Sequence, residues 1–132
     1  MAFVLNDLGV VQQLTGDYPS AAASYQQALT IYREGGYRIG EAEALNNLGE
    51  LLTRSSAGQR ARDQHAQALA IARDISAPLE EARALEGIGR CHLRDGNPGG
   101  GGACLRQALT IYQRIGAPGA QRIQDTLRER GL

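Results

Sequence analysis

The stretch Leu45-Asn46-Asn47-Leu48-Gly49 (LNNLG) decides the fold, because related stretches stand forty residues before and forty residues after it. The earlier copy reads LNDLG at 5–9, and the later copy reads LEGIG at 85–89. A second block keeps the same step at 27–32, 67–72 and 107–112, and its first and third copies both read QALTIY. Two blocks in one register indicate three copies of one structural unit.

Each unit is predicted to form two helices joined by a short turn. Apolar residues of the second unit recur at helical spacing, in one stripe of Ala42, Leu45, Leu48 and Leu52 and a second of Ala61, His65, Ala68, Leu69 and Ala72. Turn-forming residues separate the two helices of a unit at 16–19, 55–58 and 95–98, and they separate the units at 35–36, 76–78 and 116–118. A glycine inside a helix costs about 1 kcal/mol relative to alanine, so the recurrence of Gly9, Gly49 and Gly89 predicts that two helices approach closely there.

These positions resemble the tetratricopeptide repeat (TPR), whose pattern is a bulky residue, Leu-Gly, Tyr, Ala, an aromatic residue and a later Ala at fixed spacing. The three units supply Leu5, Leu8, Gly9, Gln12, Ala21, Tyr25 and Ala28; Leu45, Leu48, Gly49, Leu52, Ala61, His65 and Ala68; and Leu85, Ile88, Gly89, His92, Gly101, Leu105 and Ala108. The chain departs from the pattern at two positions. The usual Tyr is replaced by Gln12, Leu52 and His92, and the late Pro is missing from all three units. The forty-residue step is similar to the long repeats of kinesin light chains and of the C-terminal arrays of actinobacterial multidomain regulators.

The resemblance implies an all-α fold, a right-handed α-solenoid of three TPR helix hairpins plus a C-terminal capping helix. The chain is then one array over 1–132. We expect repeat 1 at about 2–36, repeat 2 at 40–75, repeat 3 at 78–116 and the capping helix at 118–130.

In TPR proteins the first helix of each pair lines the concave face of the array. The resemblance therefore implies a peptide-binding groove formed by Asn6, Val10, Gln13, Glu43, Asn46, Glu50, Arg54, Arg83, Glu86, Arg90 and Arg94. An Asn amide can hold a peptide backbone, because it both donates and accepts hydrogen bonds. Arg90 and Arg94 can bind a carboxylate, and the glutamates can meet a basic partner residue. The alternative is a solvated face with local Glu–Arg pairs at i, i+4. The carboxylate clamp of some family members uses Lys, which this chain lacks.

The four glycines at 99–102 have two interpretations, a phosphate-binding loop and the start of a helix. A phosphate-binding loop needs a Lys-Ser/Thr pair after the glycines and a strand before them. The chain has no Lys, and the repeat register aligns the run with 19–22, where a second helix begins. We therefore expect a helix start, with Asn97 as the N-cap and Pro98 in the first turn.

Composition narrows the function classes. The net charge is zero and aromatics make up 5% of the chain, which argues against binding of nucleic acid or of an anionic membrane surface. No apolar run is long enough to span a membrane. Cys91 and Cys104 are expected to be reduced thiols of a cytoplasmic protein. His65 and His92 are expected to be packed core residues, so we predict no metal and no cofactor.

No catalytic set can be assembled from the sequence. Cys91 and His92 are adjacent, and adjacent helical side chains point in different directions. We therefore predict a protein that is not an enzyme, a module that binds a protein or peptide within a bacterial regulatory or signalling assembly. The alternative is an architectural, self-associating arm of a larger switch protein that holds no diffusible ligand.

The two ends of the array are expected to differ. Residues 1–4 read MAFV and leave an apolar face without an N-terminal cap, which repeat arrays usually need. Such a face indicates either a fragment of a longer protein or pairing with another copy, and we expect a weak homodimer through the N-terminal repeat. The last helix has a polar face formed by Arg122, Asp125, Arg128, Glu129 and Arg130.

Overall fold

The computed structural model describes residues 1–55 and 58–132, which form seven α-helices and contain no β-strand. The helices are α1 (Ala2–Leu14), α2 (Tyr18–Gly35), α3 (Arg38–Arg54), α4 (Gly58–Asp74), α5 (Pro78–Arg94), α6 (Pro98–Ile115) and α7 (Ala120–Arg130). Antiparallel neighbours pair as α1–α2, α3–α4 and α5–α6, and α7 packs on α6. The predicted all-α solenoid of three hairpins and a final helix is confirmed. Of the predicted turn at 55–58, residues 56 and 57 lie outside the described residues.

Side-chain caps and left-handed residues set the ends of the helices. The Asn97 carboxamide oxygen accepts a hydrogen bond from the Gly100 N–H at 3.0 Å and starts α6. Helices α2 and α6 end at Gly36 and Gly116, with φ of 69° and 68°, a conformation that glycine adopts without steric cost. Ser76 holds the equivalent position of the second unit at φ 57°.

The glycine run at 99–102 lies inside the first turns of α6, so the predicted helix start is confirmed. Gly101 is buried, and a Cβ atom there would lie 2.6 Å from Leu93 Cδ2. The missing side chain therefore allows α6 to pack closely on α5. The last helix begins at Ala120, later than the predicted residue 118, because the chain still turns at Gly119, which packs directly against the Tyr112 ring.

Small residues separate the two helices of each hairpin, as the repeat predicted. A Cβ atom at Gly9 would lie 2.5 Å from Tyr25 Cε1, and one at Gly49 would lie 2.5 Å from His65 Nε2. Ala28, Ala68 and Ala108 are fully buried on the second helices. The core therefore runs along the array as two hydrophobic clusters, one mainly in repeats 1 and 2 and one in repeat 3 and α7.

The first helices form the inner layer of the array. Helix α3 contacts both α1 and α5, whereas the second helices α2, α4 and α6 make no comparable contact with one another in the described part of the chain. Each first helix also packs on the second helix of the preceding unit, α3 on α2 and α5 on α4. Helices that are closer on one side than on the other produce curvature, and the first helices line the concave side.

Candidate functional site

A pocket of about 470 Å³ lies on the concave side between α3, α5 and α7. Its lining consists of Glu50, Thr53, Arg54, His65, Arg83, Glu86, Gly87, Arg90 and Arg122. Five of these residues are among the predicted groove residues, namely Glu50, Arg54, Arg83, Glu86 and Arg90. The first helices of repeats 2 and 3 therefore bring together the charged part of the predicted groove.

Glu86, Arg90 and Arg122 of the pocket lining belong to what we call the basic cluster, which also contains the buried Tyr112. The Glu86 carboxylate accepts two hydrogen bonds from Arg122, at 2.7 and 2.8 Å, and two from Arg90, at 3.1 and 2.9 Å. The buried Tyr112 hydroxyl donates a fifth, at 3.0 Å. Two guanidinium groups share one carboxylate, so the cluster has an excess of one positive charge.

The geometry of the basic cluster determines the ionisation of its members. Burial acts to raise the pKa of Glu86, but the hydrogen bonds from Arg122 and Arg90 outweigh it and hold the pKa below its ordinary value. Glu86 is only 8% exposed. The expectation that Glu86 meets a basic residue of a partner is therefore corrected, because its oxygens already bind arginines of its own chain.

Glu50 and Arg83 of the pocket lining belong to what we call the acidic cluster, which also contains the buried Glu80 and Asn47. Arg83 donates hydrogen bonds to Glu80 at 2.9 Å, Glu50 at 3.0 Å and Asn47 at 2.8 Å. Burial acts to lower the pKa of Arg83, but the two glutamates outweigh it and raise the pKa. One guanidinium faces two carboxylates, so this cluster has an excess of one negative charge.

The structure corrects the role predicted for Asn46, which is fully buried. Its Nδ2 donates to the backbone oxygen of Glu80 at 3.1 Å and to Glu80 Oε1 at 3.0 Å, while its Oδ1 lies 2.8 Å from His65 Nδ1. Both ends of the amide are therefore occupied within the fold. Asn46 connects α3 to α4 and α5 instead of presenting its amide to a peptide.

The predicted groove residues of repeat 1 do not line this pocket. Asn6 is 2% exposed and is not among the lining residues, so its predicted peptide contact is also corrected. Gln13 accepts a hydrogen bond from the Tyr25 hydroxyl at 3.0 Å, and Val10 is exposed. Glu43 is half-buried, and its pKa is raised by burial and by the nearby Glu80 carboxylate.

The exposed arginines lie along the edge of the pocket. Arg54 is exposed and lines the pocket directly. Arg94 is exposed and donates a hydrogen bond to the Thr53 backbone oxygen at 3.2 Å. Four lining residues were missed from the sequence, namely Thr53, His65, Gly87 and Arg122. Arg122 could have been predicted from the sequence, because the forty-residue register places its helix beside α5, as the first helix of a further unit.

The environment of Cys91 disfavours an activated thiol. Cys91 is 1% exposed, and burial raises the pKa of its thiol, which disfavours the reactive thiolate. Within residues 1–55 and 58–132, no three His, Cys, Asp or Glu side chains lie together as metal ligands. None of the helices in this part of the chain combines the length and the apolar character needed to cross a bilayer.

Comparison with proteins of known structure shows the same architecture. RapI in its apo form superimposes with a TM-score of 0.86 at 19% identity, over 92% of this chain and 45% of that one. BtubC (BKLC) from P. vanneervenii gives a TM-score of 0.78 at 22% identity, over 87% of this chain and 48% of that one. The N-terminal domain of stress-induced protein-1 from C. elegans gives a TM-score of 0.71 at 14% identity, over 94% of this chain and 92% of that one. This chain thus spans less than half the length of the first two proteins.

Sequence comparison is consistent with the structural one. A search of curated proteins gives no match. The family model described as tetratricopeptide repeat matches residues 1–74, more than half of the chain. With three hairpins in one register and small residues between their helices, the chain belongs to the tetratricopeptide repeat family.

Proposed function

We propose that the chain is a non-catalytic protein–protein interaction module that binds an extended segment of a partner protein in its concave groove, as part of a regulatory or signalling assembly. The observation that carries this proposal is the pocket between α3, α5 and α7, where two clusters of opposite excess charge lie side by side. Such a surface selects partners by charge pattern, since a like charge opposite either cluster is disfavoured.

The pocket offers charged side chains that a partner can reach. The side chain of Glu50 is 48% exposed and that of Arg90 is 34% exposed. Arg54 is exposed at the edge of the same pocket. A segment that places an acidic residue on the basic cluster and a basic residue on the acidic cluster matches both excess charges, and it fixes the direction in which the segment runs.

Neutralising the exposed charges of the groove is expected to abolish capture of a partner. The variant Glu50→Gln/Arg54→Gln/Arg90→Gln removes one acid and two bases from the pocket and leaves Asn46 and Glu86 in place. We expect the native chain to retain a protein from lysate of the source cell that this variant loses at least tenfold, since each lost charged contact at an interface is worth about 1 kcal/mol or more. Affinity capture with quantitative mass spectrometry measures the loss.

A matched control carries the same charge change outside the groove. Glu34→Gln/Arg60→Gln/Arg106→Gln also removes one acid and two bases, all of them exposed on second helices. We expect it to retain the partner as the native chain does. Equal retention by the groove variant and the control, with both folded by circular dichroism, would refute recognition in the groove.

A second candidate function, a self-associating arm, is favoured by the exposed apolar face of α1. In the repeat register Val4, Leu8 and Val11 correspond to Ala44, Leu48 and Leu51, which are at most 6% exposed. On α1 the same three positions are 55%, 45% and 56% exposed. Phe3 and Leu14 extend the apolar surface at 66% and 82% exposed. The face that α3 buries in the array is therefore open on α1.

We propose that a second copy of the chain covers this face by packing its own α1 against it. The stripe contains no basic residue and only one acid, Asp7, so its best match is another apolar stripe, as in a symmetric contact. Burial of these side chains removes roughly 500 Å² per copy, near the lower limit of about 1,000 Å² in total for a specific interface. The association is therefore expected to be weak.

Sedimentation equilibrium tests the self-association. Between about 10 µM and about 1 mM the apparent mass of the native chain is expected to rise toward that of a dimer, in line with a millimolar to submillimolar Kd. Val4→Glu/Val11→Glu is expected to stay monomeric, whereas Gln26→Glu/Thr30→Glu on the exposed side of α2 is expected to associate like the native chain. A native chain that stays monomeric at about 1 mM would exclude this candidate.

A further inference from the structure

His65 lies at the floor of the pocket, between two first helices. It occupies the repeat position that Tyr25 holds in repeat 1, and it is 1% exposed. A Cβ atom at Gly49 would lie 2.5 Å from His65 Nε2, and one at Gly87 would lie 2.3 Å from it. Glycine at both positions therefore lets the ring, which comes from α4, reach between α3 and α5 to the concave side.

The surrounding hydrogen bonds fix which ring nitrogen carries the proton. The backbone oxygen of Glu80 can only accept, so the Asn46 group that contacts it is the Nδ2 donor. The Asn46 oxygen then faces His65 Nδ1 at 2.8 Å, and Nδ1 must donate. In the neutral ring Nε2 consequently has no proton and presents a lone pair.

This lone pair has no partner within the described part of the chain. Burial is the main reason that the pKa of His65 falls to about 4, and the nearby Arg83 lowers it further, so the ring is neutral at physiological pH. Buried acceptors in proteins are nearly always satisfied. An unsatisfied acceptor at the floor of a pocket therefore points to a hydrogen-bond donor supplied from outside the chain.

The neighbourhood of Nε2 restricts that donor. Nε2 itself has almost no exposed area, and the ring lines the pocket together with Gly87, so the donor must be a small group at the pocket floor. Glu86, the centre of the basic cluster, lines the same pocket and acts electrostatically on the His65 ring. Within that cluster Arg90 Nη1 makes only a 3.4 Å contact with the Thr126 hydroxyl, and the Arg122 side chain is 56% exposed. The excess of one positive charge matches a single carboxylate.

We propose that this pocket is a subsite for a hydroxyl next to a carboxylate, as in a partner segment with Ser or Thr beside Asp or Glu. The hydroxyl donates to His65 Nε2, and the carboxylate binds Arg90 and Arg122. The proposal rests on the proposed binding of a partner segment in the groove, and it names the chemistry that the pocket recognises there.

The test uses the native chain and three capped tetrapeptides, acetyl-Gly-Ser-Asp-Gly-amide and its Ala-Asp and Ser-Asn counterparts. Titration to about 20 mM, followed by NMR, suits the millimolar affinity of so short a ligand. The readout is the ¹⁵N shift of His65 Nε2, which moves when the lone pair accepts a hydrogen bond, with His92 as the internal control. We expect the Ser-Asp peptide to shift Nε2 saturably and to bind about fivefold more tightly than the Ala-Asp peptide. The Ser-Asn peptide is expected to bind more weakly than both.

Two variants separate the subsite from the groove as a whole. Arg122→Gln is expected to weaken the binding of both Asp-containing peptides. His65→Leu is expected to abolish the difference in affinity between the Ser-Asp and Ala-Asp peptides. Leucine is chosen because Leu105 holds the equivalent position in repeat 3. Free lactate carries a hydroxyl next to a carboxylate but no peptide backbone. If the pocket recognises a protein segment, titration with lactate is expected to shift the ¹⁵N resonance of His65 Nε2 at most weakly. An Nε2 resonance that does not respond to the Ser-Asp peptide would overturn the subsite. Charge-dependent partner capture by the groove would still stand in that case.

Discussion

Replacement of Glu86 by alanine is expected to lower the free energy of unfolding by about 2–4 kcal/mol, because it removes the only carboxylate of the basic cluster. Arg90 and Arg122 lose the group that neutralises them, and the buried Tyr112 hydroxyl loses its acceptor. The loss falls below that of a fully buried ion pair, since the Arg122 side chain is 56% exposed and regains water. Urea denaturation followed by circular dichroism measures the change.

The matched control removes one guanidinium and keeps the carboxylate. In Arg90→Gln, Glu86 retains both hydrogen bonds from Arg122 and the one from Tyr112, so we expect a loss below about 1 kcal/mol. The two variants thus distinguish a cluster organised around Glu86 from a set of independent surface pairs. Equal losses in both variants, or a loss in Glu86→Ala below about 0.5 kcal/mol, would contradict this account.

Acidification from about pH 7 to about pH 4 is expected to destabilise the fold by roughly 3 kcal/mol through His65 alone. The unfolded ring takes up a proton near the ordinary pKa of 6.5, whereas burial and Arg83 lower the pKa of the folded ring to about 4. The unfolded state therefore binds more protons throughout this window, and stability falls as the pH falls through it. Glu86, whose pKa is lowered, loses its contribution only below its ordinary value of 4.5.

The comparison must be made against a variant that does not titrate at this position. His65→Gln retains a donor for the Asn46 oxygen and removes the ionisable ring. Glu43 works in the opposite direction near pH 4.5, because its pKa is raised, and it does so equally in both proteins. We expect the difference in unfolding free energy between native chain and variant to change by roughly 3 kcal/mol between about pH 7 and about pH 4. A difference that is independent of pH would refute the buried neutral ring.

Register explains why the fold could be predicted from the sequence. Positions such as Gly49 and Ala68 recur forty residues apart, and a repeated position has repeated neighbours, so one helix hairpin predicts the others. The same logic predicted Glu50, Arg54 and Arg90 for the groove, and all three line the pocket between α3, α5 and α7. It also expected a packed histidine at 65, because that position holds an aromatic residue in the family pattern.

The same register misplaced the residues whose environment differs between units. Asn46 was predicted to face a peptide, but its partners Glu80 and His65 come from two other helices, and Glu80 is specific to the third unit. Glu86 is buried by Arg122 of α7, a helix treated in the sequence as a polar cap. A repeat pattern specifies the backbone neighbours of a position, whereas the side-chain partners depend on residues that the pattern leaves variable.

The open face of α1 also has a consequence for partly unfolded states of the molecule. In a linear array each unit is held by its neighbours, and in the described part of the chain α1 packs mainly on α2 and α3, whereas α3 packs on α1, α2, α4 and α5. Local opening that begins at α1 is therefore expected to require less free energy than opening of the central hairpins. The pocket is built from α3, α4, α5 and α7, so such an opening leaves it intact. Helix α1 can then lose order while the pocket remains assembled.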